Sequence, residues 1–255
     1  WRWTCDNGEK MQIICSSRSF NFIKKNVKNP LIGSFILSLE NYCLFNEYSY
    51  SHEEIQDVIK YLKNNNKMVI IDIAKIIHEN EIEKVKEIIV WLNSLEVDYF
   101  MYSDFGIHFI LDELNLKNKA MLYSNTYLTN TLDVKIYQEK NGMVVLSNQI
   151  NTDELISVSN NCFPNQIICA FGKALIMYTR RPLLTNYFKY RGLSKNAQKT
   201  SYSLQEEYRE DLYPYHSGLP RKKRCLCPLL RHEPGHLQGS GSGRSSRYHR
   251  STVHR

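Results

Sequence analysis

Short apolar runs rich in branched residues recur along the chain between Met11 and Arg191. Runs of this kind are typical of strands that are buried on both faces of a parallel sheet. The pattern predicts seven strands, over residues 12–15, 34–39, 68–73, 99–102, 120–123, 143–146 and 166–171. The last four begin 21, 23 and 23 residues apart, which leaves room in each interval for one helix and two loops. Parallel pairing with right-handed crossovers is therefore expected.

Between these runs the hydrophobic residues recur at the spacing of one helix face. Two such stripes are Ile55, Val58, Ile59 and Leu62, and then Ile82, Val85, Ile89 and Leu92. Capping boxes are predicted where Ser51 precedes Glu54 and where Asn151 precedes Glu154. Seven strand–helix units favour a (β/α) barrel over an open sheet, although composition alone does not separate the two folds.

The two ends of the chain differ from this pattern. Residues 1–10 precede Met11 and are predicted to be a non-native or upstream leader. After Tyr213 the sequence contains no Ile, Asn or Phe. The same segment contains five of the eight histidines and five of the eleven glycines. We therefore predict a barrel domain over 11–213 and a disordered basic tail over 214–255, out of frame, so that the eighth barrel unit is missing. A natural low-complexity basic tail is the alternative.

The net charge of +7 belongs to this tail, which holds nine of the 33 Lys and Arg residues and one of the 26 acids, Glu233. Residues 1–213 carry the other 24 basic and 25 acidic residues. Because that balance is close to zero, nucleic acid is not expected as a partner of the folded part.

The seven cysteines are odd in number and show no framework spacing, which predicts a reduced, cytoplasmic setting. No run of about 18 apolar residues predicts a membrane span, and no membrane partner is expected. The tail offers zinc-type ligands in Cys225, Cys227, His232 and His236. A single residue separates the two cysteines, which is not the spacing of a structural zinc site, so no metal is predicted.

The segment 172–192 follows the last apolar run and contains two adjacent arginines and a proline. It resembles the signature segment of the U32 family of collagenase-like peptidases. The positions that match are Gly172, Tyr178, Arg180 or Arg181, Leu183, Leu184, Asn186 and Tyr187. This sequence has Phe171 where the family has histidine, and Leu175 and Pro182 where it has cysteines.

Motifs at 103–106, 124–130 and 146–155 resemble the same family, so the resemblance covers residues 92–192. Asn125 replaces a family glutamine, and Asn148 with Gln149 replaces an arginine–glutamate pair. The resemblance implies an α/β fold, a TIM-barrel-like (β/α) barrel. With the eighth unit missing, that barrel is expected to be incomplete at the C-terminus.

In such barrels the chemistry lies at the carboxyl ends of the strands. The substrate-binding residues predicted there are Asp72, Asp104, Asn125, Tyr178, Arg180, Arg181 and Asn186. Asp72 can act as a general base or hold a substrate amine, or it can hydrogen-bond the next loop or cap the following helix. Asp104 lies in a turn where aspartate commonly binds backbone amides. Either arginine can bind a carboxylate or phosphate, or can pair with Asp72 or Asp104.

The resemblance implies a hydrolase that acts on peptides, with a peptide or small polar ligand as its partner. Because the family's His, Glu and Cys positions are replaced, the catalytic residues are unknown and enzyme activity is left open. One alternative is a catalytically weak ligand-binding or scaffold protein, and another is an accessory protein in RNA or cofactor modification. The alternative of RNA or cofactor modification is implied by members of the family that carry an iron–sulfur cluster. No cysteine lies between Cys169 and Cys225 in this sequence, so no iron–sulfur cofactor is expected there.

Overall fold

The computed structural model describes residues 12–44, 48–124, 127–162, 165–170, 179–192, 201–205, 212–216 and 229–232. The strands are β1 Gln12–Ser16, β2 Ile32–Ser38, β3 Met68–Asp72, β4 Tyr99–Tyr102, β5 Ala120–Tyr123, β6 Met143–Val145, β7 Gln166–Cys169, β8 Ser201–Gln205, β9 Leu212–His216 and β10 Leu229–His232. The helices are α1 Phe20–Asn26, α2 His52–Asn64, α3 Ile82–Ser94, α4 Phe105–Glu113, α5 Thr131–Lys140, α6 Thr152–Asn161 and α7 Leu183–Tyr190.

Strands β1 to β7 lie side by side in chain order, and each neighbouring pair is parallel. The sheet curls so that β10 lies between β1 and β7, antiparallel to both. Strands β8 and β9 form a separate antiparallel pair. Seven parallel strand–helix units in place of eight make an incomplete (β/α) barrel, and the predicted TIM-barrel-like fold is confirmed.

All seven predicted strands are present. β4 and β5 have the predicted bounds, and β2 begins two residues earlier than predicted, at Ile32. β7 ends at Cys169, and Phe171, the predicted end of that run, lies outside the described residues. Apolar runs of this length identify buried strands well because both faces of each strand need hydrophobic side chains.

Side chains alternate between two hydrophobic layers, as the pleat of a strand requires. Inside the barrel one cluster is formed by Ile14, Ile36, Ile70, Met101, Met121, Tyr123, Met143, Val145 and Ile167. The intervening residues, such as Phe35 and Leu37 of β2, pack outward against helix residues such as Ile59 and Leu62 of α2. The barrel interior is therefore a packed core rather than a pore, and the chemistry of such barrels is expected at the carboxyl ends of the strands.

Both predicted capping boxes are confirmed. The Ser51 hydroxyl accepts from the Glu54 amide at 3.2 Å, and the Glu54 carboxylate accepts from the Ser51 amide at 3.1 Å. The corresponding distances for Asn151 and Glu154 are both 2.9 Å. Each box fixes the first turn of a helix where the chain leaves the carboxyl-end face of the barrel.

The domain boundaries predicted at both ends stay predictions. Residues 1–11 lie outside the described part of the chain. In the region predicted as a tail, the structure describes Leu229–His232 as a barrel strand and places Leu212–His216 across the predicted boundary at 213. Among the described helices, none combines the length and apolar composition that a membrane crossing requires.

Candidate functional site

The carboxyl ends of β2 and β3 bring together a buried pair of polar residues. Asp72, the last residue of β3, is fully buried. Its neighbour in the parallel register is Ser38 of β2, whose hydroxyl donates to Asp72 Oδ2 at 3.0 Å. Asp72 Oδ1 accepts from the amide of Ala74 at 3.0 Å. Of the roles open from the sequence, the hydrogen bond to the next loop is present, and a role in substrate binding stays a prediction.

The cysteine beside this pair is a protonated thiol at neutral pH. Cys43 is buried, and desolvation followed by the negative charge of Asp72 raises its pKa to about 12. Burial also raises the pKa values of the Cys15 and Cys162 thiols. A thiolate nucleophile forms where the thiol pKa is lowered, so these three cysteines are poorly suited to nucleophilic chemistry.

Asp104, which follows β4, binds backbone amides of its own turn and of the loop after β3. It is the N-cap of α4, and its Oδ1 accepts from the Gly106 amide at 2.7 Å. Its Oδ2 accepts from the amide of Ile77, in the loop after β3, at 3.1 Å. These are the backbone contacts expected of an aspartate in this turn. Its part in substrate binding stays a prediction.

Arg180 forms a forked ion pair with Glu81. The Arg180 Nη1 donates to Glu81 Oε2 and to the carbonyl of Ile76, the latter at 2.9 Å, while Nη2 donates to Oε1 at 3.3 Å. Lys75 Nζ donates to the same Oε1 at 2.9 Å. The hydrogen bond from Arg180, and then the one from Lys75, lowers the pKa of Glu81 from 4.5 to about 2. Glu81 in the folded protein is therefore ionised at any pH well above about 2.

The acid that pairs with Arg180 was not among the predicted partners, Asp72 and Asp104. A local signal for Glu81 exists, because it follows His78 by three residues and its carboxylate accepts from the His78 amide at 2.9 Å. That spacing is typical of a capping box, and it marks an acid held at the start of α3. The sequence gives no sign that an arginine 99 residues away completes the site.

Three of the predicted residues meet at one loop, which we call the β3–α3 loop (residues 73–81). Asp72 binds its residue Ala74, Asp104 binds Ile77, and Arg180 binds Ile76 and Glu81. The loop leaves the carboxyl end of β3, so Arg180 lies at the face of the barrel where chemistry is expected.

The other predicted residues are not part of this cluster. Arg181 is exposed, its amide donates to Thr179 Oγ1 at 3.1 Å, and within the described residues its guanidinium forms no ion pair. Asn186 is exposed on α7. Asn125 and Tyr178 lie outside the described residues. Arg181 and Asn186 therefore remain accessible to a ligand on the surface.

The signature segment does not fit a thiolate-bound cluster. Pro182, at a position where the family has cysteine, is the N-cap of α7 and has no side-chain donor atom. No cysteine lies between Cys169 and Cys225. In the described part of the chain, no three His, Cys, Asp or Glu side chains form a group that could hold a metal ion.

Comparison with known proteins gives one family and two relatives. The model of peptidase family U32 matches residues 37–227. A protein of Methanocaldococcus jannaschii named as an uncharacterized protease is 33% identical over 116 residues, which cover 46% of this chain and 28% of that protein. The tRNA hydroxylation protein P2 of Bacillus subtilis is 21% identical over 194 residues, which cover 72% of this chain and 63% of that protein. The chain thus spans less than two thirds of the length of either relative.

Proposed function

The chain belongs to peptidase family U32, as its signature segment predicted, and we propose that it serves tRNA hydroxylation by binding the RNA rather than cleaving peptides. The relative named for tRNA hydroxylation matches most of this chain, including the greater part of the barrel. The relative named as a protease matches less than half of it. The likeness over the barrel as a whole therefore favours the RNA-modification role.

The observation that carries this proposal is the state of Asp72. A peptidase needs a nucleophile or a water activated by a general base, and the base must be able to reach the proton that it removes. Asp72 ends its strand at the usual position of such a base, but it is fully buried and both of its oxygens accept hydrogen bonds. The nearby thiol of Cys43 has a pKa raised to about 12.

The predicted binding residues have different parts in this proposal. Arg181 and Asn186, which are exposed, contact the ligand. Arg180 holds their segment against the β3–α3 loop, and Asp72 and Asp104 fix the shape of that loop. For Asn125 and Tyr178, which lie outside the described residues, ligand binding stays a prediction. A cytoplasmic location also stays a prediction.

A tRNA partner departs from the expectation drawn from charge. The near-zero balance of residues 1–213 averages over the whole barrel and does not exclude a local basic surface. A cationic patch on a neutral domain is sufficient to attract a phosphate backbone.

The proposal is tested by analysing tRNA nucleosides from cells of the source organism. We expect deletion of the gene for this chain to remove nucleosides that are one oxygen atom heavier than their parents, and re-expression to restore them. Liquid chromatography with mass spectrometry of digested tRNA measures this change. A nucleoside profile identical with and without the gene would overturn the proposal.

Peptide hydrolysis is the second candidate, favoured by the 33% identity to the protein named as a protease. Incubating the purified full chain with a fluorogenic peptide library tests it. The proposed function predicts no turnover above the protein-free blank. Turnover that is lost in Asp72→Asn would establish the hydrolase instead.

A further inference from the structure

A long stretch of the chain around the signature segment contains no acidic residue. Between Glu154 and Glu206 there are 51 residues without Asp or Glu. The same stretch holds seven basic residues, Lys173, Arg180, Arg181, Lys189, Arg191, Lys195 and Lys199. This stretch includes β7 and α7, and four of its seven basic residues, Arg180, Arg181, Lys189 and Arg191, lie in or beside α7.

Helix α7 exposes its apolar side. Leu183, Tyr187 and Tyr190 are 45%, 53% and 87% exposed. Their spacing of four and then three residues places them on one face of the helix. A helix that packs on a barrel normally buries such a face, as α2 does with Ile55 and Leu62. The tyrosines of α7 are therefore accessible to a partner outside the barrel.

Exposed cations lie at both ends of this helix, and among them Lys189 projects from a different side than the two tyrosines. Arg181 is exposed just before α7, and Lys189 and Arg191 are exposed at its end. Arg180, by contrast, is 25% exposed and is held by Glu81. That ion pair places the beginning of α7 beside the β3–α3 loop, at the carboxyl-end face of the barrel.

We propose that the α7 surface, defined as Arg181, Tyr187, Tyr190 and Arg191, binds single-stranded RNA. The two tyrosine rings stack on bases while the two arginines contact phosphates. The inference rests on the proposed function, since it assigns the surface that receives the tRNA. An unpaired loop fits better than a helix because the bases of A-form RNA are stacked on each other and offer no free face.

The charge pattern selects a polyanion over the other possible occupants. An apolar peptide would have no use for two arginines that form no ion pair within the described residues, and a second copy of α7 would bring like charges together. Aromatic rings interleaved with cations and free of acids are the combination that single-stranded nucleic acid requires.

Fluorescence anisotropy with the full chain and a labelled single-stranded RNA of about twelve nucleotides tests the proposal. We expect the double variant Tyr187→Ala with Tyr190→Ala to bind about ten-fold more weakly or worse. Tyr187→Phe with Tyr190→Phe keeps the stacking rings and should bind like the wild type. The matched control is Phe109→Ala, which removes an aromatic ring 67% exposed on α4 and should not change binding.

The cations are tested through the salt dependence of the same titration. Replacing Arg181 and Arg191 with alanine should weaken binding and lower the slope of log affinity against log salt by roughly 0.7 for each residue. Circular dichroism of each variant confirms that the helix content is unchanged. If the tyrosine variant binds RNA like the wild type, or if the arginine variant keeps the full slope, the inference is wrong. Loss of self-association in sedimentation, with RNA binding intact, would assign the surface to a second copy instead.

This inference and the proposed function can fail separately. If tRNA hydroxylation depends on the chain but is fully restored by the tyrosine variant, the tRNA binds elsewhere. If the α7 surface binds RNA as described but the nucleoside profile does not depend on the gene, the proposed function is wrong.

Discussion

Asp72 is a fully buried carboxylate whose oxygens accept from Ser38 Oγ and from the Ala74 amide. Replacing it with asparagine removes the charge and turns one acceptor into a donor that faces another donor. We expect Asp72→Asn to lower the free energy of unfolding by about 1–3 kcal/mol in urea denaturation. Ser38→Ala, which removes one of these hydrogen bonds, should cost less, about 1 kcal/mol. An asparagine variant as stable as the wild type would show that the carboxylate is kept for a ligand rather than for the loop.

The ion pairs of Glu81 are expected to make the free energy of unfolding depend on pH in the acid range. Its pKa is lowered to about 2 by Arg180 and then Lys75, so the folded state favours the ionised form. Its contribution is complete above pH 4.5 and is lost as the pH falls from 4.5 towards 2. We expect Glu81→Gln to be less stable than the wild type at pH 7, with the difference shrinking over this range. Urea midpoints at pH 7, 4.5 and 3 measure it, and a difference that does not change with pH would contradict the pairing.

Single residues were predictable where their partners are close in the chain. The aspartate turn at Asp104 and the capping boxes follow from spacings of two or three residues. The pairing of Arg180 with Glu81 could not be predicted, because the fold decides which loop meets the signature segment. The hydrogen bond between Ser38 and Asp72 likewise depends on the register of two strands, which the periodicity of each strand does not fix.

At the scale of elements, Arg180 connects α7 to the barrel. Its guanidinium contacts Ile76 and Glu81 in the β3–α3 loop, whereas Arg181 beside it makes no ion pair within the described residues. We expect Arg180→Ala to speed hydrogen exchange of the α7 amides, because the helix loses its contact with the loop. Arg181→Ala is the matched control and should leave exchange unchanged. Equal exchange in the Arg180 variant and the wild type would show that other contacts hold the helix.

The order of strands and helices was largely predictable from the sequence. Buried parallel strands need continuous apolar runs, and helices over them need an apolar stripe, so the two periods alternate visibly along the chain. The antiparallel strand β10, Leu229–His232, was not predicted. Its four residues lie in a stretch rich in Gly, Ser, Arg and His, and such a composition gives no strand signal.

At the scale of the whole molecule, the net charge does not reveal the stretch without acidic residues that is proposed to contact RNA. Residues 1–213 are nearly neutral, yet none of their acids lies between Glu154 and Glu206. An attraction that acts over about 8–10 Å in physiological salt depends on this local distribution and not on the total. The barrel therefore presents a basic, aromatic helix at its carboxyl-end face, although its net charge predicts no affinity for RNA.

Ultraviolet cross-linking of the full chain in living cells is the most direct test of this account. Mass spectrometry of the cross-linked peptides and sequencing of the attached RNA identify both sides of the contact at once. We predict that the RNA is tRNA and that the adducts lie within residues 179–192, at Tyr187 or Tyr190. If no RNA is recovered above background, or if the adducts are confined to other parts of the barrel, the account is contradicted.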